Sequence, residues 1–151
     1  IEISNPGHEY NYRKFNSKQI SSLIKLLVYL KKKYKIRRKN ILGHSDIAPN
    51  RKKDPGEKFP WKKLAKRNLC LWHNLSETKI KKYRKIKLNK IEEKMFLRNL
   101  ANIGYSKLKR INLKPEKLYL VKAFQRRFRQ ELVNGIIDKE CFLISKNLLK
   151  Y

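Results

Sequence analysis

Acidic residues are scarce in this chain of 151 residues, which contains 12 Asp and Glu but 40 Lys and Arg. The resulting net charge of +28 implies an anionic partner or environment. Nucleic acid is the usual first candidate for such a charge. However, the basic residues are spread from Arg13 to Lys150, and a coding bias toward A/T-rich codons would produce the same composition. The charge alone therefore does not distinguish nucleic acid from cell-wall polymers or acidic lipids.

Cysteine and long apolar runs are also scarce. Cys70 and Cys141 form no C-x-x-C pair, and each lies among apolar neighbours, which favours buried free thiols over a disulfide. No stretch approaches the roughly 18 apolar residues of a membrane span. The chain opens on Ile1-Glu2-Ile3 without a methionine, so we expect an N-terminally truncated sequence, in which the lack of a signal peptide carries no information.

One irregular segment concentrates the residues that can carry chemistry. Residues 44–56 read His-Ser-Asp-Ile-Ala-Pro-Asn-Arg-Lys-Lys-Asp-Pro-Gly. Pro49 and Pro55 disfavour the α conformation in the residues before them, so we expect a non-helical loop that turns back on itself. Such a loop can bring together His44 and Asp54, whose imidazole nitrogen and carboxylate oxygen are normal zinc ligands. The alternative is that His44, one of only three histidines, is a capping or packing residue.

The same segment resembles the zinc-ligand loop of the type 2 N-acetylmuramoyl-L-alanine amidases, which cleave the bond between muramic acid and the peptide stem of peptidoglycan. In that family a ligand histidine precedes a D-x-A-P-like stretch, and a catalytic lysine stands two residues before a ligand aspartate that opens a D-P-G turn. His44, Lys52 and Asp54 occupy these positions without a gap. The resemblance therefore implies a zinc ion bound by His44 and Asp54, with Lys52 in contact with the oxyanion of the reaction.

The resemblance also implies a catalytic role for Glu2. The family places a proton-handling glutamate in an I-G-I-E-I/L-like strand, which residues 1–3 match. Alternation along a strand would direct Glu2 away from the core face, and the alternative is a solvated carboxylate. The family takes its third zinc ligand, a second histidine, from a strand upstream of this glutamate. Neither His8 nor His73 matches a ligand position, so we interpret both as surface or packing histidines.

The pattern along residues 1–75 predicts an α/β fold, and the resemblance implies that this part is the C-terminal portion of a mixed-sheet zinc amidase domain. Residues 1–3 and 40–44 have the apolar pattern of short strands, and His44 would lie at the C-terminal edge of the second one. Between them, Ser17 can cap a helix whose apolar residues keep helical spacing.

A basic linker is predicted at residues 76–88, and a small three-helix domain at residues 89–151. This second unit resembles the peptidoglycan-binding domain of many wall hydrolases. The resemblance depends on the Asn-Ile-Gly-Tyr turn at 102–105, the Ala-Phe-Gln segment at 123–125 and the Asn-Gly-Ile-Ile-Asp turn at 134–138. The alternative is an unrelated helical bundle.

Three functions remain open at this point. The first is a zinc amidase, and the second is a non-catalytic peptidoglycan-recognition protein on the same fold, which the missing upstream histidine would distinguish. The third is a nucleic-acid-binding module, which only the charge favours. The order of units resembles envelope-facing amidases of Gram-negative bacteria, so we expect a periplasmic or outer-membrane-associated protein, with the cytoplasm as the alternative. Intact wall, released muropeptides and anhydro muropeptides are all open as substrates.

Lys52 has a matched control in its neighbour Lys53. In an extended segment, residues two apart face the same side, so Lys52 would face the metal together with Asp54, while Lys53 points away. We expect Lys52→Ala in the full-length protein to retain zinc and to lower kcat by about 10²-fold, the scale of a lost oxyanion donor. Lys53→Ala should change kcat little. Equal effects of the two substitutions in steady-state kinetics would contradict the role of Lys52.

Overall fold

The computed structural model describes residues 1–105 and 114–151, and these ranges are helical with irregular connections. Their helices are α1 (Ser17–Lys33), α2 (His44–Ile47), α3 (Trp61–Lys66), α4 (Glu77–Lys81), α5 (Lys90–Ile103), α6 (Lys114–Phe128) and α7 (Lys139–Leu148). A 3₁₀ turn at Arg38–Asn40 precedes α2. Over the described ranges, none of the helices combines the length and the apolar character needed to cross a membrane.

The predicted α/β fold with a mixed sheet is wrong. The described residues contain no strand, and a single isolated antiparallel bridge joins Lys87 to Asp138. Residues 1–3 lie in irregular chain. Asn40 ends the 3₁₀ turn, residues 41–43 are irregular, and His44 opens α2 instead of ending a strand. The physical reason is that a strand needs neighbours for its backbone hydrogen bonds, and two segments of this length do not make a stable sheet by themselves.

The first hydrophobic cluster forms between α1, α3 and the chain that follows α3. The N-cap of α1 is Asn16 and not Ser17, because the Asn16 side chain accepts the N–H of Lys18 at 2.8 Å. The cluster consists of apolar side chains that are at most 8 % exposed: Ile20, Leu23, Leu27, Phe59, Trp61, Leu64, Leu69 and Cys70.

The second cluster lies between α5, α6 and α7, where the sequence predicts three helices. Gly104 ends α5 with a left-handed backbone (φ 113°), and the Asp138 side chain caps α7 by accepting the N–H of Cys141. The predicted linker, residues 76–88, contains α4, whose Ile80 is buried in this cluster. The domain boundaries themselves stay a prediction.

The two clusters adjoin each other. Trp72 is partly buried and packs against both of them. Beside it, the Asn74 N–H donates to the Asn147 side chain at 3.0 Å, and the Asn147 amide donates back to the Asn74 side chain at 2.7 Å. The chain between α3 and α4 is therefore anchored to α7, and the first half of the protein is held against the helical second half.

Both cysteines are free and buried, and their chemistry gives a simple test of the packing. Burial raises the pKa of the Cys70 thiol to about 11 and that of Cys141 to about 12. Since the thiolate is the reactive form, we expect neither residue to react with a thiol reagent at pH 8 in the folded protein, and both to react after denaturation. Rapid labelling of either thiol under native conditions, followed by mass spectrometry, would contradict the described packing.

Candidate metal centre

His44 and Asp54 lie in direct contact. The distance between His44 Nδ1 and Asp54 Oδ2 is 2.6 Å. Both side chains remain exposed, at 65 % and 57 % of their surface, so the pair is accessible to an ion or a substrate from solvent. The structure thus brings together the two residues that the sequence predicts as zinc ligands, and their role as ligands stays a prediction.

A close approach between Gly43 and Pro55 sets this geometry. A Cβ atom on Gly43 would lie only 2.5 Å from Pro55 Cδ, so that a side chain at this position does not fit without a shift. Next to this contact, the Ser45 N–H donates to the Asp54 carbonyl at 2.9 Å. Because these contacts involve the direct neighbours of His44 and Asp54, the two backbones have little freedom relative to each other.

Tyr12 holds the turn that follows Asp54. Its hydroxyl donates to the Pro55 carbonyl at 2.7 Å and accepts the N–H of Lys58 at 2.8 Å. Burial raises the pKa of Tyr12 to about 12, so the hydroxyl keeps its proton and can donate. Gly56 has φ +80°, and a Cβ atom there would lie 2.5 Å from the Tyr12 hydroxyl. This turn therefore requires glycine for both its conformation and its packing.

Asp46 lies beneath the candidate site and is buried, with 5 % of its surface exposed. Its carboxylate accepts the Gly43 N–H at 2.8 Å and the Tyr105 hydroxyl at 2.7 Å, and it forms an ion pair with Arg127. Sequence reasoning assigned no role to Asp46. The available signal was a carboxylate three residues after Gly43, the spacing at which it can accept the N–H that precedes a helical turn.

Lys52 and Glu2, the two predicted catalytic residues, are exposed. Within residues 1–105 and 114–151, no side-chain hydrogen bond or ion pair joins either of them to His44 or Asp54. The Lys52 backbone N–H donates to the Ala48 carbonyl at 2.9 Å, which closes the turn that leads to Asp54. The structure does not bring these two side chains to the pair, and their catalytic roles stay predictions.

The other two histidines have partners other than His44 and Asp54. His8 Nε2 contacts a Glu57 carboxylate oxygen at 3.1 Å, and its ring stacks on Tyr12 with 4.3 Å between the centroids. His73 is 5 % exposed and stacks on Trp72, and burial lowers its pKa. Both histidines therefore have packing or surface roles, as their sequence context predicts.

His44 and Asp54 are of the residue types that bind zinc, since they offer one imidazole nitrogen and one carboxylate oxygen. Among the residues that the structure describes, no group of three or more His, Cys, Asp and Glu side chains could hold a metal ion. His44 and Asp54 thus fit two of the three protein ligands of a catalytic zinc centre.

Comparisons with known proteins match the segment that contains the candidate metal centre. The model of the N-acetylmuramoyl-L-alanine amidase family matches residues 1–57, which include His44, Asp54, Lys52 and Glu2. Over 160 aligned positions and 99 % of its length, the chain is 32 % identical to the N-acetylmuramoyl-L-alanine amidase AmiD of Escherichia coli K12. These matches support a type 2 N-acetylmuramoyl-L-alanine amidase, with residues 1–57 as the part that matches the family model. The family predicted from the loop motif is confirmed.

A second relative matches a shorter range of this chain. The 1,6-anhydro-N-acetylmuramyl-L-alanine amidase AmpD of Haemophilus influenzae is 43 % identical over 54 residues, which are 35 % of the chain and 29 % of AmpD. The chain spans 56 % of the length of Escherichia coli AmiD. It therefore corresponds to about half of the curated relative that it matches over nearly its whole length.

Two solved structures match the fold of this chain. The complex of Escherichia coli AmiD with its substrate anhydro-N-acetylmuramic acid-L-Ala-D-γ-Glu-L-Lys gives a TM-score of 0.80 at 32 % identity, covering 93 % of the chain and 55 % of AmiD. AmpDh3 of Pseudomonas aeruginosa gives a TM-score of 0.77 at 28 % identity, covering 93 % of the chain and 56 % of AmpDh3. These matches extend across both hydrophobic clusters.

Gly43 offers a test of the geometry beneath the pair. In Gly43→Ala the added methyl group would meet Pro55 Cδ and, at 3.2 Å, the Trp61 ring. We expect a loss of about 1–3 kcal/mol in the free energy of unfolding, typical of overpacking, and weaker zinc binding because Pro55 moves together with Asp54. Chemical denaturation and a zinc competition titration measure the two effects.

Gly7 provides the control for this substitution. It has φ +75°, and nothing lies within 4 Å of an added Cβ atom, so Gly7→Ala carries only the cost of a left-handed backbone, about 1–2 kcal/mol. Zinc affinity should not change in Gly7→Ala. If Gly43→Ala also left zinc affinity unchanged, the contact between Gly43 and Pro55 would not be what positions Asp54.

Proposed function

We propose that the protein is a zinc-dependent amidase that hydrolyses the bond between N-acetylmuramic acid and L-alanine in muropeptides. The observation that carries the proposal is the contact of 2.6 Å between His44 and Asp54, within the segment that matches the amidase family. AmiD of Escherichia coli is described in complex with a substrate in which anhydro-N-acetylmuramic acid is joined to L-alanine. Muropeptides of this kind are therefore the first substrates to test.

In the proposed reaction, His44 would hold the metal through an imidazole nitrogen, and Asp54 through a carboxylate oxygen. Zinc, when bound at such a centre, supplies a water molecule whose pKa is lowered to about 7. The exposed positions of His44 and Asp54 suit a substrate as large as a muropeptide, because the pair lies at the surface and not inside a closed cavity.

The remaining steps concern protons and charge. When the carbonyl carbon of the lactyl–alanine amide is attacked, negative charge develops on the carbonyl oxygen, and the ammonium group of Lys52 would neutralise it. The carboxylate of Glu2 would take a proton from the attacking water and deliver it to the amide nitrogen. The C–N bond then breaks, the lactyl carbonyl keeps the water oxygen as a carboxyl group, and the peptide leaves with its L-alanine nitrogen as a neutral amine. Both side chains are exposed to solvent.

The helical unit from residue 89 onward would bind the glycan or peptide of the cell wall, and we propose the bacterial cell envelope as the location of the protein. Support comes from the order of the two units and from the turns at 102–105 and 134–138. In the structure, α5 ends at Gly104 of the first turn, and Asp138, the last residue of the second turn, is the N-cap of α7.

The proposed function is tested by removing one ligand and comparing the effect with that of another exposed histidine. We expect His44→Ala in the full-length, zinc-loaded protein to weaken zinc binding and to lower hydrolysis of an anhydro-muramyl tripeptide by at least about 10²-fold, since a zinc ligand is lost. His8→Gln should leave both properties close to the wild type, because His8 pairs with Glu57 and not with Asp54.

Release of the free peptide is followed by chromatography, and zinc content by competition with a chromophoric chelator. Wild-type protein that binds zinc but releases no peptide from muropeptides would favour the alternative of a peptidoglycan-recognition protein. Equal activity of His44→Ala and the wild type would refute the assignment of His44.

A further inference from the structure

A buried ion pair joins the helical unit to the candidate metal centre. Arg127, near the end of α6, is 2 % exposed and pairs with Asp46 of α2, which is 5 % exposed. The second guanidinium nitrogen, Nη2, donates to the Ile41 carbonyl at 3.0 Å. The guanidinium plane lies over the Trp61 ring, with its central carbon 4.3 Å from the centroid. Arg127 therefore contacts the chain on both sides of His44 as well as the first hydrophobic cluster.

Neither charge would be stable at this position without the other. Burial alone would lower the pKa of Arg127, but the carboxylate of Asp46 more than offsets this effect and leaves the pKa raised. Tyr105 completes the group, because burial and the charge of Asp46 raise its pKa well above the usual value and keep its hydroxyl protonated as a donor to Asp46. The position of the Asp46 carboxylate is thus determined by two residues of the helical unit.

Hydrogen bonds connect the Asp46 carboxylate to the backbone that carries His44. Its carboxylate accepts the Gly43 N–H at 2.8 Å, and the Ala48 N–H donates to the His44 carbonyl at 2.8 Å, so the helical turn that presents His44 is closed at both ends. A shift of the Asp46 carboxylate would therefore move the Gly43 backbone and, with it, the imidazole of His44.

Gln130 contacts the chain that follows Asp54. Its side-chain amide donates to the carbonyls of Glu57 and Phe59, both at 2.7 Å, in the chain that follows Asp54. Residues of the helical unit thus contact both segments that carry the predicted zinc ligands. A unit that served only to attach the enzyme to the cell wall would not require buried polar contacts at these positions.

We propose that Arg127 and Tyr105 are positioning residues of the metal centre, which act through Asp46 to orient His44 toward Asp54. The proposal rests on the proposed function, because it assumes that His44 and Asp54 bind the metal. Under this proposal the helical unit is required for the geometry of the active site, although it contributes no ligand. A unit that only binds the cell wall, the role that the resemblance implies for residues 89–151, would instead leave activity on soluble muropeptides intact when it is deleted.

A second buried ion pair in this chain provides a control for a loss of stability that does not involve His44. Arg129, two residues after Arg127, forms a buried ion pair with Asp138, and these residues are 4 % and 2 % exposed. This second pair has the same chemistry but lies entirely within the helical unit. Substitution of either arginine by methionine leaves a buried aspartate without its arginine, and the two variants differ in whether that aspartate adjoins His44. Arg129→Met also loses a contact of 3.6 Å with Glu140, which keeps its ion pair with Arg84.

The first experiment compares Arg127→Met and Arg129→Met in the full-length protein, at a temperature at which circular dichroism shows both to be folded. We expect Arg127→Met to weaken zinc binding by about 10–100-fold, the range for residues that orient metal ligands without binding the metal. Arg129→Met should bind zinc nearly as tightly as the wild type. Equal zinc affinities of Arg127→Met and the wild type, or equal losses in the two variants, would overturn the proposal.

A second variant decides the question if Arg127→Met does not fold. Tyr105→Phe removes only the hydroxyl that donates to Asp46 and keeps the ring in its packing against Phe124. We expect weaker zinc binding than in the wild type and a smaller loss than in Arg127→Met. In the zinc-free protein, the ¹⁵N signals of the His44 imidazole should shift in Tyr105→Phe, whereas those of His8 should not. Unchanged His44 signals together with unchanged zinc affinity would overturn the proposal.

The two proposals fail in different ways. If His44→Ala binds zinc as tightly as the wild type, the proposed metal centre is wrong, whatever the effect of Arg127. If His44→Ala weakens zinc binding but Arg127→Met and Tyr105→Phe do not, the metal centre stands and the positioning role is wrong.

Discussion

The rest of the structure depends on one buried pair of charges, Asp46 and Arg127, at the junction of the two hydrophobic clusters. A buried carboxylate or guanidinium without a partner is strongly destabilising, so each group constrains the position of the other. Asp46 belongs to the helical turn that begins at His44, and Arg127 belongs to α6. The constraint therefore couples the packing of the helical unit to the backbone beneath the predicted zinc ligands.

The loop between His44 and Asp54 shows how a site is built without regular strands in its own segment. Backbone hydrogen bonds, such as the one from the Ser45 N–H to the Asp54 carbonyl, replace a strand ladder. Two glycines allow the backbone to approach Pro55 and Tyr12 more closely than any side chain would permit. The loop is thus held by Tyr12 on one side and by Asp46 on the other.

The predictions that succeeded depended on local signals. The motif from His44 to Gly56 identified the family because its residues lie close together in the sequence. The helices of the second unit were predictable from apolar spacing, with Gly104 and Asp138 as stop and start signals. The strand predictions at residues 1–3 and 40–44 failed because a strand is defined by its neighbours, and the pattern of one segment does not show whether a partner is present.

The sequence by itself determined the family, the proximity of the two predicted ligands and the positions of the bundle helices, since each depends on residues near one another in the chain. Only the tertiary structure revealed that Asp46 pairs with Arg127, because these residues are 81 positions apart and each resembles an ordinary surface charge in a chain with 40 basic residues. Burial distinguishes this arginine from the others, and burial is a property of the packed chain and not of the local sequence.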